Sequence, residues 1–206
     1  MTDAGVVAVI RAPSKESLIP ITEALLVGGI PSIEVTMSTP KAIAGIEMLA
    51  DRFGDSAVIG VGTVLDASTA RDAIAAGARF VVSPITDPET IATTIRYGAV
   101  SIPGAFTPTE IVRAWTIGAD IVKVFPSTAL GPQYFKDILA PLPQLKLTPT
   151  GGVDLKNAGE WIRAGAVCIG VGSALLPKDA VKAGKWEQVS DAARAFVQAV
   201  KAARKG

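Results

Sequence analysis

A lysine stands inside an otherwise apolar run, Ile121-Val122-Lys123-Val124-Phe125-Pro126. Lysine is rarely fully buried unless it is paired or has a task. Desolvation disfavours the ammonium form, so a lysine held in such a run titrates below its usual value and becomes a usable amine nucleophile. That is the requirement for a Schiff base with a ketone or aldehyde. The competing reading lets the side chain snorkel from the strand end and simply be solvated.

A second charge is isolated in the same way. Glu34, in Ile33-Glu34-Val35, is the one charge of its apolar run. Burial would raise its pKa and make it a general acid or base near neutral pH. Alternatively, it forms an ion pair with Arg11 or Lys123, which by itself signals little about function. Arg11 carries a planar fork suited to a carboxylate or phosphate, or else is a plain surface cation. Two glycine-bearing turns, Gly151-Gly152 and Gly172-Ser173, would let backbone N–H groups approach an anion. Each is also readable as a tight turn.

The elements that position these residues repeat from end to end: a short β-branched run, a loop, an Ala-rich amphipathic segment and a glycine turn. Strands are expected at Val6–Ile10, Ser32–Val35, Val58–Val61, Phe80–Val82, Ala99–Ile102, Ile121–Phe125, Leu145–Thr148 and Val167–Val171. Helical patterns fall at about Lys15–Val27, Pro40–Phe53, Ala67–Ala76, Pro88–Tyr97, Pro108–Ile117, Pro132–Leu139, Leu155–Ala164 and Trp186–Ala203. Gly77, Gly98, Gly118 and Gly165 follow helices where a left-handed cap is wanted. Pro40, Pro88 and Pro108 open helices, where a missing N–H is harmless.

This α/β alternation predicts a parallel sheet with crossover helices, closing into a (β/α)8 TIM barrel, a single domain over residues 1–206. An open doubly wound sheet is the alternative, although no GxGxxG turn follows the first strand. In a barrel the active site lies at the carboxyl ends of the strands, and polar residues collect there. They are Arg11, Glu34 with Thr36, Gly62-Thr63, Ser83-Pro84, Lys123, Thr148 to Gly152, and Gly172-Ser173.

Composition narrows the chemistry further. Hydrophobic residues make up 49% of the 206 but aromatics only 5%, so the core must be aliphatic, as in a parallel sheet covered on both faces. A net charge of +1, with no basic stripe or acidic tail, argues against nucleic acid or a membrane surface as the main partner. The chain has no histidine, which removes His-based triads and the usual imidazole ligands of a metal-dependent aldolase site. The lone Cys168 reads as buried packing. The start of the chain shows neither a basic segment nor an apolar signal core, and no run reaches membrane-span length, so a cytoplasmic location is expected. Together these features suggest a small phosphorylated oxo compound held by its phosphate while Lys123 attacks its carbonyl.

The motifs, in this order, resemble the 2-keto-3-deoxy-6-phosphogluconate (KDPG) aldolase family, which includes the 4-hydroxy-2-oxoglutarate and 6-phosphogalactonate aldolases. They are Ala8-Val9-Ile10-Arg11, Ile33-Glu34-Val35-Thr36, Ile59-Gly60-Val61-Gly62-Thr63-Val64, Val82-Ser83-Pro84, Ile102-Pro103-Gly104, Val122-Lys123-Val124-Phe125-Pro126, Pro149-Thr150-Gly151-Gly152-Val153 and Gly170-Val171-Gly172-Ser173. The resemblance implies a homotrimeric class I aldolase on a (β/α)8 barrel that needs no metal or organic cofactor. It implies Lys123 as the Schiff-base lysine and Glu34 as the proton shuttle. Arg11 and Thr63 would hold the pyruvate carboxylate, with Pro84 shaping the wall beside them. Thr150, Gly151 and Gly152 would receive the sugar-acid chain, and Gly172 and Ser173 the phosphate.

The implied partner is thus a phosphorylated keto acid, with no nucleic acid and no membrane. Ser38 stands where some members carry an arginine, four residues after the glutamate, which leaves more of the anchoring to Arg11. Thr150 resembles the gluconate type, whereas the stretch from Phe125 to Tyr134 is closer to the galactonate type. A sugar-phosphate isomerase-type barrel without covalent catalysis, in which Lys123 is an electrostatic clamp, is the remaining alternative.

Overall fold

The computed structural model describes residues 2–205. Strands and helices alternate in the order β1 (Val6–Ile10), α1 (Leu18–Val27), β2 (Ser32–Thr36), α2 (Ala42–Phe53), β3 (Val58–Gly62), α3 (Ala67–Ala75), β4 (Phe80–Val82), α4 (Pro88–Arg96), β5 (Val100–Ile102), β6 (Gly104–Ala105), α5 (Pro108–Thr116) and β7 (Val122–Val124). A 3₁₀ turn at Ser127–Ala129 leads into α6 (Gly131–Leu139), followed by β8 (Leu147–Pro149), α7 (Ala158–Arg163), β9 (Ile169–Val171), α8 (Lys178–Lys182) and α9 (Trp186–Ala203).

All strand pairs are parallel. One sheet runs β5-β4-β3-β2-β1-β9 and a second runs β6-β7-β8. Single parallel bridges, Thr150 to Gly170 and Leu147 to Ala166, lie between β8 and β9. On the other side β5 runs directly into β6 through Pro103, whose ring nitrogen has no hydrogen to donate to a ladder. The expected fifth strand is therefore broken into two pieces, one pairing back to β4 and the other forward to β7.

Two apolar clusters divide the interior. The larger joins the outer strand faces to the helices and contains Ile10, Leu25, Ile46, Phe135, Trp161 and Phe196. The smaller contains Val7, Phe80, Val82, Ile102, Ile121 and Cys168. Its members come from strands far apart in the sheet order, so the sheet curls and brings them together on its concave face. Gly60 makes room there: a Cβ on it would collide with the Phe80 ring.

Local signals explain most helix ends. Asp66 and Asp87 accept from the N–H groups of Thr69 and Thr90, both at 2.8 Å, to start α3 and α4. Thr107 and Glu110 form a capping box at α5, and Pro88 and Pro108 open their helices as expected. Gly77, Gly98, Gly118 and Gly165 all have positive φ, +100°, +78°, +108° and +100°. Three helices begin later than their apolar patterns do, α1 at Leu18, α2 at Ala42 and α7 at Ala158. At α2 the cause is Lys41, held at φ +55°. At α7, Asp154 and Asn157 exchange side-chain-to-N–H bonds of 3.0 and 3.1 Å, a closed turn that delays the helix. The five-residue α8 carries no apolar period long enough to have been read. No helix among the described residues is long and apolar enough to cross a membrane.

Candidate active site

The strands' carboxyl ends gather the polar residues. Lys123 lies mid-strand in β7 and is 6% exposed; Glu34 lies mid-strand in β2 and is 3% exposed. Burial pushes the Lys123 ammonium below its ordinary pKa, with a small further push from Arg11, while Glu34 pulls the other way. Burial likewise raises Glu34, against the attraction of Lys123 and then Arg11. Each group is thus driven towards its neutral form by desolvation, and the attraction of the other opposes that shift. They are coupled but not locked together. Among the described residues the ion pairs within 4.0 Å are Arg52–Glu23, Arg71–Asp72 and Arg194–Asp191, all on the surface. Lys123 is buried, so it does not snorkel into solvent.

Alternation along the strand puts Lys123 and Phe125 on one side, and the Phe125 ring lies over the amine, 4.7 Å from Nζ to the ring centroid. Beside Phe125 opens a cavity of about 110 Å³ lined by Arg11, Thr150, Gly151, Gly152, Gly172 and Ser173 among others. The Arg11 guanidinium sits against Gly172, its Nη1 3.4 Å from where a Cβ would stand. Six of the residues singled out in the sequence therefore share one cavity wall with Phe125. Gly151 and Gly152 adopt φ of +95° and +71°, which a side chain would strain. A Cβ on Gly170 would run into the Thr150 hydroxyl.

Thr150 is anchored from β7. Its N–H donates to Val124 O and to Ser127 Oγ, both at 3.2 Å, and its carbonyl accepts from the Ser127 N–H at 2.9 Å. The buried Ser127 hydroxyl in turn donates to Val124 O at 2.7 Å. Thr36 is tied across to β1, donating to Ile10 O at 3.0 Å, and meets Ser38 Oγ at 2.8 Å. Ser38 is exposed at this rim.

Pro84 lies in a second cavity of about 260 Å³, also bordered by Phe125 and shared with Gly104, Phe106, Glu110 and Arg113. Thr63 joins the group through its neighbour Gly62, against which the Glu34 side chain lies. Thr63 is exposed and adopts φ +62°. That is an outlier for a β-branched residue, and such strain is found where surroundings hold a functional group in place. The roomier clefts, about 460 Å³ below β3 to β5 and about 600 Å³ below β8 and β9, are at the amino ends of the strands, away from Lys123 and Glu34.

Two contributors were not legible as site residues in the sequence. Phe125 stands in the sequence only as part of the run that carries Lys123, and its i+2 spacing from that lysine is the one signal of a role at the site. Ser127 gave no signal, because its role is a hydrogen bond across to the β8 end.

A parallel α/β sheet with a desolvated lysine, a buried carboxyl and a glycine-lined cavity at its carboxyl edge defines an aldolase of the imine-forming class. The family model for KDPG and KHG aldolases matches residues 1–192, and the chain belongs to that family. It is 36% identical over 196 residues to the 2-dehydro-3-deoxy-phosphogluconate aldolase of Treponema pallidum, covering 95% of this chain and 93% of that one. It is 33% identical over 204 residues to the 2-dehydro-3-deoxy-6-phosphogalactonate aldolase of Escherichia coli K12, covering 98% and 97%. A solved KDPG aldolase from Legionella pneumophila, with pyruvate captured as a covalent carbinolamine, superposes with a TM-score of 0.87 at 35% identity, covering 93% of each chain.

Proposed function

We propose that the chain is one aldolase domain that cleaves 2-dehydro-3-deoxy-6-phosphogluconate to pyruvate and glyceraldehyde 3-phosphate. The observation that carries this reading is the pair of buried groups, Lys123 and Glu34, charge-coupled across the curled sheet without an ion pair between them. Neutral Lys123 attacks the C2 ketone and expels water, giving an imine. In its protonated form the imine accepts the electrons of the C3–C4 bond, so cleavage leaves an enamine instead of a bare carbanion. Glu34 takes the C4 hydroxyl proton, directly or through a water, as the aldehyde departs. The enamine is then protonated at C3, and hydrolysis releases pyruvate and restores the amine. A positioned carboxyl of this kind is worth about 10²–10⁴ in rate.

Arg11 and Thr63 are assigned to the pyruvate carboxylate, and Pro84 to the wall beside it. Thr150, Gly151 and Gly152 line the path of the hydroxylated chain, and Gly172 and Ser173 receive the phosphate. Their shared cavity with Arg11 supports this arrangement. The gluconate substrate is favoured over its C4 epimer because Thr150, 8% exposed at the cavity, offers a hydroxyl that an apolar residue would not. The galactonate epimer is the second reading, supported by the relative in Escherichia coli that carries that name.

Closure of the two sheets into a full (β/α)8 barrel belongs to the same proposal. The parallel bridges between β8 and β9, the continuity of β5 with β6, and the inner cluster around Phe80 all support it. So do a homotrimeric assembly and a cytoplasmic location, on the strength of the family resemblance. The test is to supply each epimer separately and follow pyruvate release. Faster release from the gluconate substrate is expected, and faster release from the galactonate substrate would reverse the assignment.

A further inference from the structure

Phe125 stands at a junction. Its ring covers the Lys123 amine at 4.7 Å, and the residue borders both the Thr150–Gly152 cavity of about 110 Å³ and the Pro84–Arg113 cavity of about 260 Å³. Lys123 itself borders neither space. The chain holds the ring there by strand alternation: Lys123 and Phe125 point the same way, and the Phe125 N–H donates to Ala105 O at 3.0 Å, fixing the backbone beside β6. Pro84 and Gly104 close the second cavity against it, and Gly104 has no room for a side chain because a Cβ would meet the Pro84 backbone.

Whatever forms an imine on Nζ must place its carbonyl carbon one bond from that nitrogen and its next carbon, the nucleophilic one, one bond further. That carbon and any group upon it lie within reach of a ring centred 4.7 Å from Nζ. We infer that Phe125 is a specificity-determining residue that limits the nucleophile to pyruvate, by filling the space where an alkyl group on C3 of a larger 2-oxo acid would lie. The inference rests on the imine reading of Lys123 and goes beyond it. The wild-type protein then discriminates against one extra methylene through a steric wall, a type of discrimination worth about 10–200-fold. Truncating the ring joins the second cavity to the space at the amine and removes the wall.

The test compares pyruvate with 2-oxobutanoate on wild type and Phe125→Ala, using borohydride trapping at Lys123 and the rate of condensation with glyceraldehyde 3-phosphate. In the variant the 2-oxobutanoate-to-pyruvate ratio of kcat/KM is expected to rise tenfold or more, while pyruvate is still trapped on Lys123. A merely structural role would lower both rates together and leave the ratio where it was. An unchanged ratio with pyruvate still trapped overturns the inference and leaves the imine reading intact. Failure of the wild type to trap pyruvate overturns both. If Phe125→Ala does not fold, Phe125→Val gives the same comparison with a smaller opening, and an unchanged ratio there counts equally against the inference.

Discussion

Gly62 leaves the space that the Glu34 side chain occupies: a Cβ built on Gly62 would fall 2.6 Å from Glu34 Cδ and 2.7 Å from Cγ. The two residues are on paired strands, where Thr36 is opposite Gly62 and Glu34 opposite Gly60. Gly62 therefore opens the slot on β3 into which the carboxyl folds, while the space at Gly60 is taken by the Phe80 ring. Both glycines are buried in a strand, so neither serves a turn. Gly62→Ala should displace the carboxyl while sparing the backbone, and turnover should fall by about 10²-fold or more, the scale of losing a positioned acid–base group. Activity within a few-fold of wild type in a folded variant would show that the slot is not needed.

Glu34→Gln keeps the shape and removes the titration. Imine formation with pyruvate should persist, while cleavage of the phosphorylated substrate should slow by about 10²–10⁴-fold. Single-turnover trapping separates the two steps. Unchanged turnover would remove Glu34 from the proton transfer.

Lys123→Met tests the cost of burying the amine. The folded protein holds Lys123 below its ordinary pKa, chiefly through burial. Below the folded value both states carry the ammonium, and the folded state bears the full desolvation penalty. As the pH rises through that value the folded lysine loses its proton before the unfolded one does, and the penalty shrinks, vanishing above about 10.4, the ordinary lysine value. The inactive Lys123→Met protein should therefore melt higher than wild type at neutral pH, with the gap closing as the pH approaches that value. A melting difference independent of pH would contradict a depressed lysine pKa.

Thr63 pays for its position in backbone strain, about 1–3 kcal/mol for a non-glycine residue at such a φ. Thr63→Gly relieves that strain, so the variant should be at least as stable as wild type. It should nonetheless bind pyruvate more weakly, seen as a raised KM with less change in kcat. A stable variant with unaltered KM would exclude Thr63 from the carboxylate site.

How much of this was legible in sequence follows from the physics of each signal. Periodicity and glycine caps depend on neighbours along the chain, and they located the strands and the helix ends at Gly77, Gly98, Gly118 and Gly165. Lys123 and Glu34 stood out because a charge in a buried run is costly wherever the run folds. The break of the fifth strand at Pro103 needed the identity of both strand partners, since the chain changes neighbours there. The left-handed φ of Thr63 and Lys41 left no trace, because neither residue type favours it. Gly62 acts through Glu34, which becomes its neighbour only once the sheet has formed, and Phe125 borders cavity walls supplied by distant strands, so their roles had to wait for the structure.

The central claim is that Lys123 forms an imine with the keto acid. Incubation with pyruvate and sodium borohydride, followed by peptide mapping, tests it directly, with Lys123→Met as the control. The account predicts a reduced pyruvyl adduct on Lys123 in the wild type and none in the control. Folded wild-type protein that stays unmodified at Lys123 would contradict it, and would leave Lys123 as an electrostatic clamp in a non-covalent sugar-phosphate enzyme.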